Sequence, residues 1–197
     1  SLKYKFVGDT LHIAPTGYPL LEHPLHGDEE LTNLLKLANV IVYHKVPNQL
    51  SKYGPAWAWD DFLEYFSPER NSFPVYGNVI MVTKSENGKL KVKPDIFDVN
   101  LDSTFNQSHI RQENKNLFTI NPLKIELKDT LFIPYIVSEE TTNSLIKFIT
   151  GKKVITKSSE IINPKILYSK IPEKIYQAIL KKSDNLISES LLANVGY

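Results

Sequence analysis

Two amphipathic runs meet at Ser183-Asp184-Asn185, and that junction constrains the fold more than any other stretch of the chain. From Ile175 to Lys182, and again through Leu186-Ile187 and Leu191-Leu192, apolar side chains recur at helical spacing. Helices joined this tightly must pack their apolar faces into a common core and leave the polar triplet at the turn. Ser183 and Asp184 suit the cap of the second helix, which should begin near Asn185. A hydroxyl and an amide two positions apart on a rigid junction can also point into one cavity, a geometry able to pass a proton and hold an amide.

Upstream the pattern is mixed. Tyr4 to Ile13 alternates as a strand pair about a Gly8-Asp9 turn. Asp28-Glu29-Glu30 opens a helix through Leu31, Leu34, Leu35 and Leu37, with its acids at the positive end of the helix dipole. Val40 to His44 is a β-branched run that predicts a buried strand, so the order is strand, helix, strand, as in a small α/β unit. Val75 to Thr83 predicts another strand, Glu86-Asn87-Gly88 a hairpin turn and Leu90 to Lys93 its partner. Short alternating runs at 97–101, 117–120, 125–127 and 131–135 follow, with 106–116 a polar interval between them. Ser138 to Thr141 reads as the start of a helix ending at Gly151, and Val154 to Thr156 as a returning strand. Past Asn163-Pro164 the chain reads as helical. The expected class is α+β: an α/β domain from 1–93 and 136–165, a small mostly β subdomain at 94–135, and a helical part at 166–197.

Composition removes several classes of function. A formal net charge of +1 leaves no excess of Lys or Arg to neutralise a run of phosphates, so no nucleic-acid partner is expected. With no cysteine there is no thiolate metal site, thiol catalysis or disulfide. No apolar stretch approaches the roughly 20 residues that span a bilayer, so no transmembrane segment is expected in this chain. His23 and His26 stand three apart with no third ligand at credible spacing, and no metal site is expected. Glu69-Arg70 is expected as an ion pair, exposed rather than buried.

Three stretches carry a family resemblance. They are Gly8-Asp9-Thr10-Leu11-His12-Ile13 with Pro15-Thr16-Gly17-Tyr18-Pro19, then Gly54-Pro55-Ala56-Trp57-Ala58-Trp59-Asp60-Asp61, then Lys181 to Glu189 around the triplet. In that order they resemble segments of the class C penicillin-binding proteins, the D-alanyl-D-alanine carboxypeptidase/endopeptidase family. The counterparts there are a Gly-Asp-Leu strand with a Gly-Asp-Pro-Thr turn, a Pro-Gly-Trp-x-Trp-Asp-Asp signature, and Ser-Asp-Asn, the second of three catalytic motifs. Tyr18 stands where the family has an acidic residue.

The resemblance implies inserted α/β and small β domains plus the first helices of a β-lactamase/transpeptidase-like domain. It implies a serine hydrolase that cleaves peptidoglycan stem peptides through an acyl-enzyme, is inhibited by β-lactam antibiotics, and works in the periplasm or another extracytoplasmic part of the cell envelope. It implies neither a metal nor an organic cofactor. Ser183 would be the proton relay and Asn185 the amide-binding residue, and a serine hydroxyl can relay only beside a lysine and a bound acyl group. Asp61, with Asp60 as runner-up, would pair with the ammonium group of the stem peptide's diamino acid, with Trp59 and Phe66 as apolar walls. The competing reading has the Trp pair packing one domain on another, and Asp60 or Asp61 capping a helix through Phe62, Leu63 and Phe66.

Two family motifs are missing from this sequence. No Lys-Thr-Gly occurs, since Thr150-Gly151 follows Ile149. The Ser-x-x-Lys at Ser144-Leu145-Ile146-Lys147 lies shortly before Ser183, whereas the family's nucleophile lies far upstream, and Ser144 is not expected to be catalytic. The chain is therefore expected to be the central piece of a larger enzyme, inactive alone. The alternative is a catalytically inactive module of the same architecture that binds peptidoglycan or a partner.

Overall fold

The computed structural model describes residues 1–45, 51–54, 57–168, 173–182 and 184–196. In chain order, β1 (Leu2–Val7) and β2 (Thr10–Pro15) form a hairpin, with Gly8 supplying a φ of 60° at the turn. Helix α1 (Glu29–Lys36) and β3 (Val40–His44) follow. Strands β4 (Val79–Lys84), β5 (Leu90–Lys93), β6 (Asp98–Leu101), β7 (His109–Arg111), β8 (Leu117–Ile120) and β9 (Thr130–Pro134) come next. Helix α2 (Glu139–Thr150), β10 (Lys153–Lys157), β11 (Lys165–Leu167), α3 (Glu173–Lys182) and α4 (Asn185–Gly196) complete the order.

These elements make three sheets. The first is mixed, in the order β10-β3-β2-β1-β11, with β10, β3 and β2 parallel and both β1 pairings antiparallel. The second, β5-β4-β9, is antiparallel, and the third runs β6-β8-β7. The whole is α+β, as the sequence predicts. Strand β9 returns from the 94–135 stretch to pair with β4.

Local chemistry explains the helix boundaries. Asp28 caps α1, its Oδ1 accepting from Glu30 N at 2.6 Å, and Glu29 and Glu30 occupy the first turn. Ser138 caps α2, with Oγ accepting from Thr141 N at 3.0 Å, and Gly151 ends that helix at φ 70°. Alternation in β2 buries Leu11 and Ile13 and turns His12 to the other face. Leu31 and Leu35 of α1 and Leu145 and Ile146 of α2 close over the first sheet in one apolar core. Among the described residues no helix is long and apolar enough to cross a membrane.

Four local expectations need correction. The strand expected from Val75 begins only at Val79, because residues 76–78 form a left-handed turn. The polar interval 106–116 contains β7, whose pairing comes from β8 and whose single apolar side chain, Ile110, gives no alternation to read. Residues 125–127 form no strand; a 3-10 turn at Pro122–Lys124 precedes them. Lys165–Leu167, read as part of a helical stretch, is an edge strand held by β1.

Candidate functional site

Asp184 sets the start of α4: its Oδ1 accepts from Ile187 N at 3.0 Å, and its carbonyl accepts from Ser188 N and Oγ. Asn185 therefore lies in the first turn, half-buried, with Nδ2 donating to the Phe66 carbonyl at 3.1 Å. Its Oδ1 has no donor among the described residues. Arg70 ties the same helix to the chain around it: Nη1 donates to Glu189 Oε2 at 2.7 Å, while Nε and Nη2 hold Ser51 and the Tyr53 carbonyl. Leu186 and Ile187 bury the helix underside against the core.

Gly77 borders the same space as Asn185, within the turn Tyr76-Gly77-Asn78, whose φ values are 53°, 62° and 54°. Such values are costly for non-glycine residues and persist where the surroundings over-determine them. Asn78 does so here. It is fully buried, its Nδ2 donates to the Glu69 carbonyl at 2.7 Å and to Asn71 Oδ1 at 3.0 Å, and its Oδ1 accepts from Val75 N. The Tyr135 hydroxyl, also buried, donates to the Val75 carbonyl at 2.6 Å and lies 3.2 Å from Asn78 Oδ1. Burial holds the Tyr135 phenol well above its ordinary pKa, and burial with the nearby Glu22 pushes Tyr76 up to about 12, so both remain proton donors at neutral pH. Glycine suits position 77 on two counts: its φ is positive, and a Cβ there would lie a tight 3.1 Å from the His23 ring.

This space is a cleft of about 340 Å³. It is lined by His23, Pro24, Leu25, Tyr65, Phe66, Pro68, Gly77, Val79, Thr130 and Phe132, together with Asp184, Asn185 and Leu186. The Phe66 ring is 40% exposed and meets Tyr65 edge-to-face at 5.5 Å. A mainly apolar cleft with an amide in its lining can hold a peptide and read its backbone.

The structure brings together two of the predicted site residues, Asn185 and Phe66. Ser183 lies outside the described residues. The 3-10 helix Trp59–Leu63 contains Trp59, Asp60 and Asp61. Of these Asp61 is half-buried; its amide donates to the Ala58 carbonyl, and its carboxylate has no partner among the described residues. Asp61 does not line the cleft that Phe66 lines. Ser144 is exposed on α2 and does not line it either.

Glu69 and Arg70 do not form the expected pair. Glu69 is buried, its Oε1 accepting from Lys52 Nζ at 3.2 Å and its Oε2 from Val137 N at 2.9 Å, while Arg70 takes Glu189. Sequence reasoning missed His23, Pro24, Gly77 and Phe132 as cleft walls. The Gly77-Asn78 pair, two residue types tolerant of left-handed backbone, was the available signal that the strand starts late. No group of three or more His, Cys, Asp or Glu capable of holding a metal occurs among the described residues.

The arrangement of sheets and helices is similar to that of about half of a solved penicillin-binding protein. The particular likeness is to the crystal structure of penicillin binding protein 4 from Haemophilus influenzae, at a TM-score of 0.60 and 14% identity, over 98% of this chain and 51% of that one. A second structure of that protein, complexed with a β-lactam, aligns at a TM-score of 0.47 and 14% identity over 96% and 49% of the two chains. At this identity the likeness is one of fold, and this chain spans about half the length of that protein. No family model and no curated protein matches the sequence.

Proposed function

We propose that the chain forms the central part of a serine D-Ala-D-Ala carboxypeptidase/endopeptidase that hydrolyses peptidoglycan stem peptides and is acylated by β-lactams in the extracytoplasmic envelope. The observation that carries this reading is the Asn185 amide in the lining of a mainly apolar cleft, beside Phe66, in a chain whose Ser-Asp-Asn triplet and fold both resemble that family. With Nδ2 committed to the Phe66 carbonyl, Asn185 offers Oδ1 to a substrate peptide N–H. Ser183 is the proposed proton relay. The nucleophile and the Lys-Thr-Gly motif, which these 197 residues do not contain, would be supplied by the rest of such an enzyme.

Asp61 is proposed as the partner of the substrate's side-chain ammonium, supported by a half-buried carboxylate with no protein partner among the described residues. Asp60 and Trp59 are proposed to flank it on the same 3-10 helix, while Phe66 serves the Asn185 cleft instead. Fluorescent penicillin should label the full-length gene product, and absence of labelling would favour the inactive binding module. In that enzyme Asp61→Ala should reduce turnover of substrates with a free side-chain amine about tenfold more than that of substrates lacking it, from loss of one charge-assisted contact. Equal losses would assign Asp61 to structure.

A further inference from the structure

Arg111, at the end of β7, is 2% exposed, and among the described residues no carboxylate lies within ion-pairing distance of it. Its Nη1 donates to the carbonyls of Gln112 and Glu113, at 3.1 and 3.4 Å. Nε is buried with no acceptor, and nothing among the described residues accepts from Nη2. Phe62 covers the guanidinium, its ring centroid 5.1 Å from Cζ. Burial lowers the Arg111 pKa, with Tyr53 and Glu69 offsetting part of that effect. A guanidinium keeps its charge even so, and a buried charge without a counter-ion is a standing destabilisation that an entering anion would relieve.

There is room for one. Arg111 lines a cavity of about 400 Å³ with Lys52, Tyr53, Phe62 and Asn114, and Lys52 and Asn114 are exposed. Two acids also border it. Glu69 is committed to Lys52 and Val137, and Glu113 gives Arg111 its carbonyl.

We propose that this cavity binds a small monocarboxylate, with one carboxylate oxygen on Nη2 of Arg111 and Lys52 and Asn114 at the entrance. A carboxylate fits better than a phosphate for two reasons. Phe62 covers one face of the guanidinium, which favours a planar group approaching its edge. The two acids in the wall oppose a dianion. This cavity shares no lining residue with the Asn185 cleft, and although Phe62 follows Asp61 on one 3-10 helix, the carboxylate inference is argued from Arg111 and not from the proposed enzymatic role.

The test uses the 15N-labelled 197-residue chain, whose only arginines are Arg70 and Arg111, so two Nε–H signals report directly. Titration with N-acetylglycine should move the Arg111 signal saturably and leave that of Arg70 in place. N-acetylglycinamide, which lacks the charge, and sodium chloride at matched ionic strength should move neither. Arg111→Met assigns the signal, and Lys52→Met should weaken binding about fivefold by removing one ammonium contact. An Arg111 signal that does not respond, that responds equally to sodium chloride, or that responds to inorganic phosphate and not to N-acetylglycine would overturn the assignment.

Discussion

The surroundings of the two arginines show opposite ways of burying the same side chain. Arg70 uses all three of its nitrogens on protein acceptors, including the Glu189 carboxylate at 2.7 Å, and its side chain is 9% exposed. Arg111 is buried more deeply, yet has only two carbonyls on one nitrogen and an aromatic face. Arg70 links α4, which presents Asn185, to the 51–53 and 66–70 segments that border both cavities. Its partners make it a structural tie. Beyond its own turn Arg111 touches the Phe62 ring and, among the described residues, no acceptor, which is why its free donors point to a ligand rather than to stability.

Replacing each arginine with methionine separates these roles. Arg70→Met should cost about 3 kcal/mol in chemical denaturation, because it strands a partly buried Glu189 and releases two segments at once. A loss below about 1 kcal/mol would remove the tie from the account. Arg111→Met should be close to neutral, or stabilising by about 1 kcal/mol, since a buried charge without a partner is exchanged for an apolar side chain of similar length. A loss comparable to that of Arg70→Met would show that Arg111 has a structural partner, and the contrast would collapse.

The smallest effect expected involves neither arginine. His12 Nδ1 is 2.8 Å from His44 Nε2, and His44 Nδ1 donates to the Ser159 carbonyl at 2.5 Å. A carbonyl can only accept, so in the neutral pair His12 donates to His44. Burial, then His44, Lys157 and Lys5, lower the His12 pKa. The unfolded chain therefore takes up this proton first as pH falls, and stability declines as pH drops below about 6.5, the unperturbed value. Thermal melts at pH 7.5 and 5.5 should show a larger acid loss for the wild type than for His12→Gln, and equal losses would remove the pair from the acid response.

The regular parts of the fold were legible because their signals are local. The Gly8-Asp9 hairpin, the Asp28 and Ser138 caps and the Gly151 stop each depend on residues within a few positions. Strands β7 and β11 were not legible: each has three residues, and their backbone partners come from elsewhere in the chain. The cleft divides the same way. Asn185 could be read because a polar triplet interrupts two helices, and Phe66 through the aromatic signature it follows. His23, Gly77 and Phe132 meet Asn185 only through tertiary packing, and no spacing in the sequence records that. Arg111 was hidden for a further reason, since an isolated arginine in a polar stretch reads as surface until its burial is seen.

The most direct test of the account is the rate at which penicillin acylates the full-length gene product carrying Asn185→Ala. If the Asn185 amide holds a peptide-like substrate in the cleft, acylation should slow about 100-fold, corresponding to roughly 2.7 kcal/mol of lost transition-state stabilisation, with the melting temperature little changed. Acylation at the wild-type rate would contradict it.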